Sequence, residues 1–193
     1  MRELSHLSEI YKKYDTFIID LWGVIHNGVA LYPEAIAAIE QLQNNSKEKP
    51  SNLIKLLQNK NVTKIFHFGR FDLAMLNKNV CPVLGPIYCT KIASKLSRTF
   101  GAKHGLKDLC KDLLNIELDK FNQTSDWGTK KLSKDQLAYA AQDVLFLHKL
   151  KIKLDEILLR EGKMNLALEC FESLKTRVKL DLEGFQELDI FAH

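Results

Sequence analysis

The chain contains no C-x-x-C pair, and its four cysteines, Cys81, Cys89, Cys110 and Cys170, stand singly among other residue types. Neither a zinc site nor a disulfide framework is indicated, so reduced thiols are expected. No apolar run approaches the ~18 residues of a membrane span. The opening MRELSHLSEIYKKYD mixes charges with apolar side chains and lacks a secretory h-region. These absences lead to the expectation of a soluble, cytoplasmic protein without a membrane partner. Internal repeats and low-complexity tracts are also missing. An excess of either charge is modest: the net charge is +4 and the pI is near 8.8, which permits a polyanionic partner without demanding one. What is present is 193 residues with a 46% apolar fraction, enough for one sizeable core or for one domain with an appendage.

Thr16-Phe-Ile-Ile-Asp20 is a short apolar, β-branched run with an acid at its end, the pattern of a buried strand. After the turn residues Gly23, Asn27 and Gly28, Pro33 opens a segment in which Ile36, Ile39, Glu40 and Leu42 have helical spacing. Asn44-Asn45-Ser46 stops it, and the polar, turn-rich interval around residues 44–50 marks a composition break. The expected division is an N-terminal strand-loop-helix unit over residues 1–48 and a second unit over 49–193.

In the second unit Leu53, Ile54, Leu56 and Leu57 mark a short helix, and Val62 to Phe68 reads as a strand. Gly69 breaks the strand, and the helix that starts at Arg70 carries Asp72 in its first turn, where the helix dipole favours a carboxylate. Two amphipathic helices are expected at about Thr90–Phe100 and His104–Asn115, with Lys91, Lys95, Arg98, Lys103, Lys107 and Lys111 on their exposed sides. Ser133 and Gln136 form a capping box, so a helix starts there and is expected to continue to Arg160. It places Tyr139 and Asp143 one turn apart on one face. A further helix over about Met164–Leu174 precedes an acidic and apolar tail from Leu180, expected to pack on the body or on a partner.

Two resemblances add to this reading. Asp20-Leu-Trp-Gly-Val-Ile-His-Asn-Gly28, followed by Leu31-Tyr-Pro-Glu-Ala35, resembles the opening motif of haloacid dehalogenase-type phosphatases, whose first Asp is a phosphoryl-accepting nucleophile. Trp22 stands where that family has its general acid/base, and the later motifs are missing. Phosphatase chemistry through Asp20 is therefore the lesser reading. Further on, five ordered blocks, Lys64-Ile-Phe-His-Phe-Gly-Arg-Phe-Asp72, Tyr88-Cys-Thr-Lys-Ile-Ala-Ser94, His104-Gly-Leu-Lys-Asp108, Gln123-Thr-Ser-Asp-Trp-Gly128 and Asp135 to Asp143, resemble ribonuclease D, a DEDDy 3′-5′ exonuclease with a ribonuclease H-like fold.

That resemblance implies an α/β, helix-rich, incomplete ribonuclease H-like fold and a two-metal phosphodiesterase acting on single-stranded RNA 3′ ends, DNA not being excluded. Two divalent cations, Mg²⁺ or Mn²⁺, would be held by Asp72 and Asp143, with Asp20 as a third carboxylate, while Tyr139 would orient the attacking water. His67, Lys120 and Lys130 are candidate nucleic-acid contacts, His67 also reading as a packed or hydrogen-bonded strand histidine. The family's first motif, Asp-x-Glu, does not occur before residue 50. Impaired metal binding, with activity reduced or lost, is therefore expected, and a non-catalytic nucleic-acid-binding module is the alternative.

Overall fold

The computed structural model describes residues 16–18, 51–99, 103–118, 133, 135, 144–186, 188, 190 and 192. Asp20, Lys120, Lys130, Tyr139 and Asp143 lie outside the described residues.

Three short strands, β1 (Thr16–Ile18), β2 (Thr63–Phe66) and β3 (Ile87–Cys89), form a parallel sheet in the order β1-β2-β3. Thr16 pairs with Thr63 and Ile18 with Ile65, while Lys64 pairs with Ile87 and Phe66 with Cys89. A central parallel strand is covered on both faces, which is why Lys64, Ile65 and Phe66 are all buried and the alternation of a half-exposed strand is missing. Around the sheet lie α1 (Ser51–Gln58), α2 (Arg70–Asn79), α3 (Thr90–Ser97), α4 (Leu106–Leu114), α5 (Leu147–Arg160) and α6 (Met164–Leu182). Helix α5 packs on α3 and α4, and α6 packs on α2 and β3.

The spacing of buried residues explains these contacts. Leu147, Leu150, Leu154 and Leu158 recur every three or four residues along α5, and Ala167, Phe171, Leu174 and Val178 do so along α6, each giving one apolar stripe. Phe171 meets Tyr88 of β3 with ring centroids 4.6 Å apart. Burial first, then the neighbouring Asp155 carboxylate, raises the Tyr88 hydroxyl above its ordinary pKa, so it remains a neutral phenol.

Several elements differ from the sequence expectation. A strand at Ile87–Cys89 leads directly into α3, where only a loop and a helix were expected. Helix α5 begins at Leu147 behind a turn at Phe146, so no single helix runs unbroken from Ser133 to Arg160. Helix α4 ends at Leu114 because Asn115 adopts a left-handed conformation (φ 54°) and caps the carbonyls of Cys110 and Lys111. Helix α6 runs eight residues beyond Leu174, to Leu182.

That extension brings Asp181 to Arg70 at the start of α2. Arg70 donates to Asp181 through Nε (2.6 Å) and through its second guanidinium nitrogen (2.7 Å), a two-pronged fit to the carboxylate. Arg177, one turn earlier on α6, donates to the same carboxylate at 3.0 Å and to the carbonyls of Phe185 (2.7 Å) and Gln186 (2.6 Å). The expected packing of the acidic tail on the body thus occurs through its backbone carbonyls.

Lys64 is the largest fully buried side chain of β2's polar positions, and its ammonium donates to the carbonyls of Asn59 (2.6 Å) and Leu84 (2.5 Å). These bonds offset part of the cost of burying a charge. Burial, then the charge of Lys175, lowers its pKa from 10.5 to about 8.

Two outcomes are expected. Replacing Asp181 with Ala leaves two arginines facing a buried gap and should lower the unfolding free energy by about 2 kcal/mol in urea denaturation; a change below a few tenths would show that the fork carries no stability. For Lys64, the unfolded chain binds more protons than the folded one between about pH 8 and pH 10.5, so stability rises with pH across that window. The unfolding free energy of the wild type relative to Lys64→Met should climb over this range, and parallel curves would contradict it.

Candidate active site

The end of β2 sets the geometry. After Phe66 and His67 the backbone turns sharply: Phe68 is left-handed (φ 62°), and Gly69 caps the start of α2. A non-glycine residue in that region costs on the order of 1 kcal/mol and is concentrated at functional turns. Gly69 is required for a separate reason. A Cβ built there would stand 2.6 Å from Cβ of Phe66, a distance no side chain tolerates. The turn delivers Asp72 to the first turn of α2, where it is buried at 2% exposure with Leu73, Ala74 and Leu76 below it. The helix N-terminus favours the ionised carboxylate in that position.

His67 is half-buried, and its Nδ1 lies 2.9 Å from Oγ1 of Thr90 at the start of α3. Thr90 donates its own hydroxyl proton to the carbonyl of Phe66 at 3.2 Å, so it accepts from Nδ1–H and His67 carries its proton there. Nε2 is left with its lone pair. Burial, then the charge of Lys91, lowers the His67 pKa from 6.5 to about 4. The side chain is therefore a neutral acceptor at Nε2, suited to a hydroxyl and not to a phosphate oxygen.

Two cationic side chains, Lys91 and Arg70, stand against the aromatic rings of the turn. The Lys91 ammonium lies 3.6 Å from the centroid of the Phe68 ring, and Phe68 meets Phe71 edge-on with centroids 5.1 Å apart. Burial, then Lys95, lowers the pKa of Lys91. Lys95 on α3, Lys107 on α4 and Lys103 in the loop before α4 are exposed, whereas Arg98 is paired with Asp112, and Lys111 with Glu117 at 3.2 Å. Of the six expected basic residues, two are thus partly neutralised. Ser94 bonds Nδ1 of His104 at 2.8 Å and ties the loop before α4 back to α3.

The structure places Asp72 and His67 at one turn, brings Lys91 to the same place, and leaves the remaining predicted site residues outside the described set. Lys91 and Thr90 are the residues the sequence reading passed over as site members. Both sit in the block Tyr88 to Ser94, whose order relative to Asp72 was the available signal. Among the described residues no three His, Cys, Asp or Glu side chains converge as a metal cluster, and no helix is long and apolar enough to cross a membrane.

Residues 26–159, more than two thirds of the chain, match the profile of the 3′-5′ exonuclease family. The chain belongs to that family. As a 3′-5′ exonuclease family member it is similar to NrnC of Brucella melitensis, 51% identical over 77% of this chain and 72% of that one with a TM-score of 0.72. Structures of that Brucella protein with bound Mg²⁺ and bound to pGG match comparably. The exonuclease domain is also similar to ribonuclease D of Acidiphilium cryptum, 34% identical over 114 residues, and to ribonuclease D of Escherichia coli, 25% identical with a TM-score of 0.61. The chain spans 29% of the length of the Acidiphilium relative, having 59% of its own length aligned, and 34% of the E. coli structure, with 67% of its own. These likenesses identify the small parallel sheet with its helices as a ribonuclease H-like exonuclease fold.

The neutral state of His67 can be checked directly. Its imidazole resonances should show no protonation as pH falls from 7 to about 5, because the folded pKa lies near 4. Since the depressed pKa favours the unfolded chain on acidification, its contribution to stability is lost as pH falls through the window from 6.5 to about 4. A His67 titration midpoint near 6.5 would contradict the geometry.

Proposed function

We propose that this exonuclease family member hydrolyses the 3′-terminal phosphodiester of single-stranded RNA in the manner of ribonuclease D. The observation that carries the reading is the buried Asp72 in the first turn of α2, presented by the Phe68-Gly69 turn within the matched region. Residues 49–193 form the exonuclease body in this reading, and the haloacid dehalogenase-like segment 1–48 contributes β1 to its sheet.

The carboxylate of Asp72 offers the hard oxygens that suit Mg²⁺ or Mn²⁺, and it sits in a first helical turn, where the dipole favours negative charge. Asp143, and Asp20 as a third carboxylate, would complete the holding set for two divalent cations. Bound there, such cations would acidify the attacking water and offset the charge that builds on the leaving oxygen. Tyr139 orients that water toward phosphorus. The bond from phosphorus to the 3′ oxygen of the preceding nucleotide breaks, releasing a nucleoside 5′-monophosphate and a new 3′ hydroxyl. His67 accepts a hydrogen bond from a substrate hydroxyl, and Lys91, Lys120 and Lys130 meet backbone phosphates. With no Asp-x-Glu before residue 50, metal affinity and turnover are lower than in a site with four carboxylates.

The second reading, nucleic-acid binding without hydrolysis, draws on that missing pair together with exposed Lys95, Lys103 and Lys107. A 3′-labelled single-stranded RNA, incubated with Mn²⁺ or Mg²⁺, separates the two. Hydrolysis that falls by about a hundredfold or more in Asp72→Ala and in Asp143→Ala supports the exonuclease. Equal release by wild type and both variants would reject catalysis at this site. Salt-sensitive binding with no release would favour the second reading.

A further inference from the structure

Helix α2 opens with a closed turn. The amide of Leu73 donates to the carbonyl of Gly69 at 2.9 Å, so Arg70, Phe71 and Asp72 lie within one hydrogen-bonded backbone ring and move together. Whatever fixes Arg70 and Phe71 therefore fixes the point from which the Asp72 side chain starts. Both are held, and by different helices. From α6, Asp181 takes two bonds from Arg70, which also donates to the Gln186 carbonyl at 3.1 Å. Arg177 donates to the same carboxylate and to the same carbonyl. Toward α3, Phe71 meets Phe68 edge-on, and Phe68 carries the Lys91 ammonium over its ring. The Arg70 guanidinium stands 6.0 Å from the centroid of the Phe71 ring and joins the two series. Among the described residues Asp72 and Asp181 are the two buried acids. Apolar side chains could join α2 to α6 as well as a buried ion pair does. What a two-pronged pair adds is a fixed direction.

We propose that Arg70 and Asp181 are positioning residues for Asp72, and that the segment after α6, gripped at Gln186 by Arg70 and Arg177, belongs to the same device. Docked, the segment and the fork hold Asp72 where a divalent cation meets it without rearrangement. This rests on the reading of Asp72 as a metal ligand. Neither Arg70 nor Asp181 touches the cation; both act through the closed turn. The coupling is reciprocal, since docking and cation binding must strengthen each other by the same factor. The acidic and apolar end of the chain thereby acquires a task in the site, at a distance of 111 residues from the helix it steadies.

Titration of Mn²⁺ into the full chain, followed by the paramagnetic resonance signal of the free ion, reads cation affinity without any nuclease turnover. Arg70→Lys keeps the charge and loses the fork, and Asp181→Asn keeps the size and loses the charge. Each should weaken Mn²⁺ binding by about fivefold. Leu158→Ala, a core truncation on α5 outside this series, destabilises the fold and should leave binding within about twofold of wild type. Amide exchange gives the reciprocal readout at Phe185, whose N–H bonds the Leu180 carbonyl at 2.9 Å. Saturating Mn²⁺ should slow that exchange by about fivefold in wild type and leave it unchanged in Asp181→Asn. Thermal melts establish that the variants are folded, and Arg70→Lys, at a half-buried side chain, decides if Asp181→Asn is not. A wild type that takes up no Mn²⁺ would overturn the reading of Asp72 and the proposal with it. Wild-type binding matched by both fork variants would overturn the proposal alone. So would a loss in Leu158→Ala as large as theirs.

Discussion

The carboxylate of Asp181 ties the last turn of α6 to the first turn of α2. Arg70 and Arg177 both donate to it, and Arg70 belongs to the first turn of the helix that carries Asp72. The fork therefore reaches from the last turn of α6 to within two residues of a candidate metal ligand. Arg177 also gathers the carbonyls of Phe185, Gln186 and Leu188, so the segment after α6 is attached to the same carboxylate through a shared guanidinium. Paired with two cations in a partly buried place, Asp181 is costly to remove singly, and the helix pair α2 and α6 depends on it.

The Phe68-Gly69 turn adds a second constraint to the same region. The left-handed Phe68 is stabilised by what surrounds it: the Lys91 ammonium over its ring and the edge of Phe71. His67 is fixed by Thr90, which is fixed in turn by the carbonyl of Phe66. Strand end, helix start and neighbouring helix thus lock one another, and the strain of the backbone is offset by ring and hydrogen-bond contacts that only the folded arrangement provides. Preorganisation of this kind is what a site needs if Asp72 is to meet a cation without rearranging.

Much of this was legible in residue order. Gly69 followed by Asp72 announced a strand-to-helix turn with an acid at the helix start, and the ordered blocks from Lys64 to Asp143 carried the exonuclease family. The strand at Ile87–Cys89 was hidden because three residues between Pro86 and a helix give no alternation to read. The full length of α6 was hidden because the acidic and apolar stretch from Leu180 looks like a tail; an aspartate's partner 111 residues away cannot be seen in a local pattern. The same holds for Arg98 and Asp112, whose pairing removes part of a basic surface that composition suggested. Lys64 is wholly enclosed, its ammonium satisfied by two loop carbonyls that no local pattern in the sequence announces.

The register of the sheet bears on how the chain assembles. Thr16 pairs with Thr63, 47 positions later, whereas Lys64 pairs with Ile87 only 23 positions on. Closing the longer loop costs about 0.6 kcal/mol more entropy for each doubling of length, and both pairings return three residues. The β2-α2-β3 unit is the cheaper one to nucleate. β1 joins β2 at the edge away from β3, across the longer of the two loops.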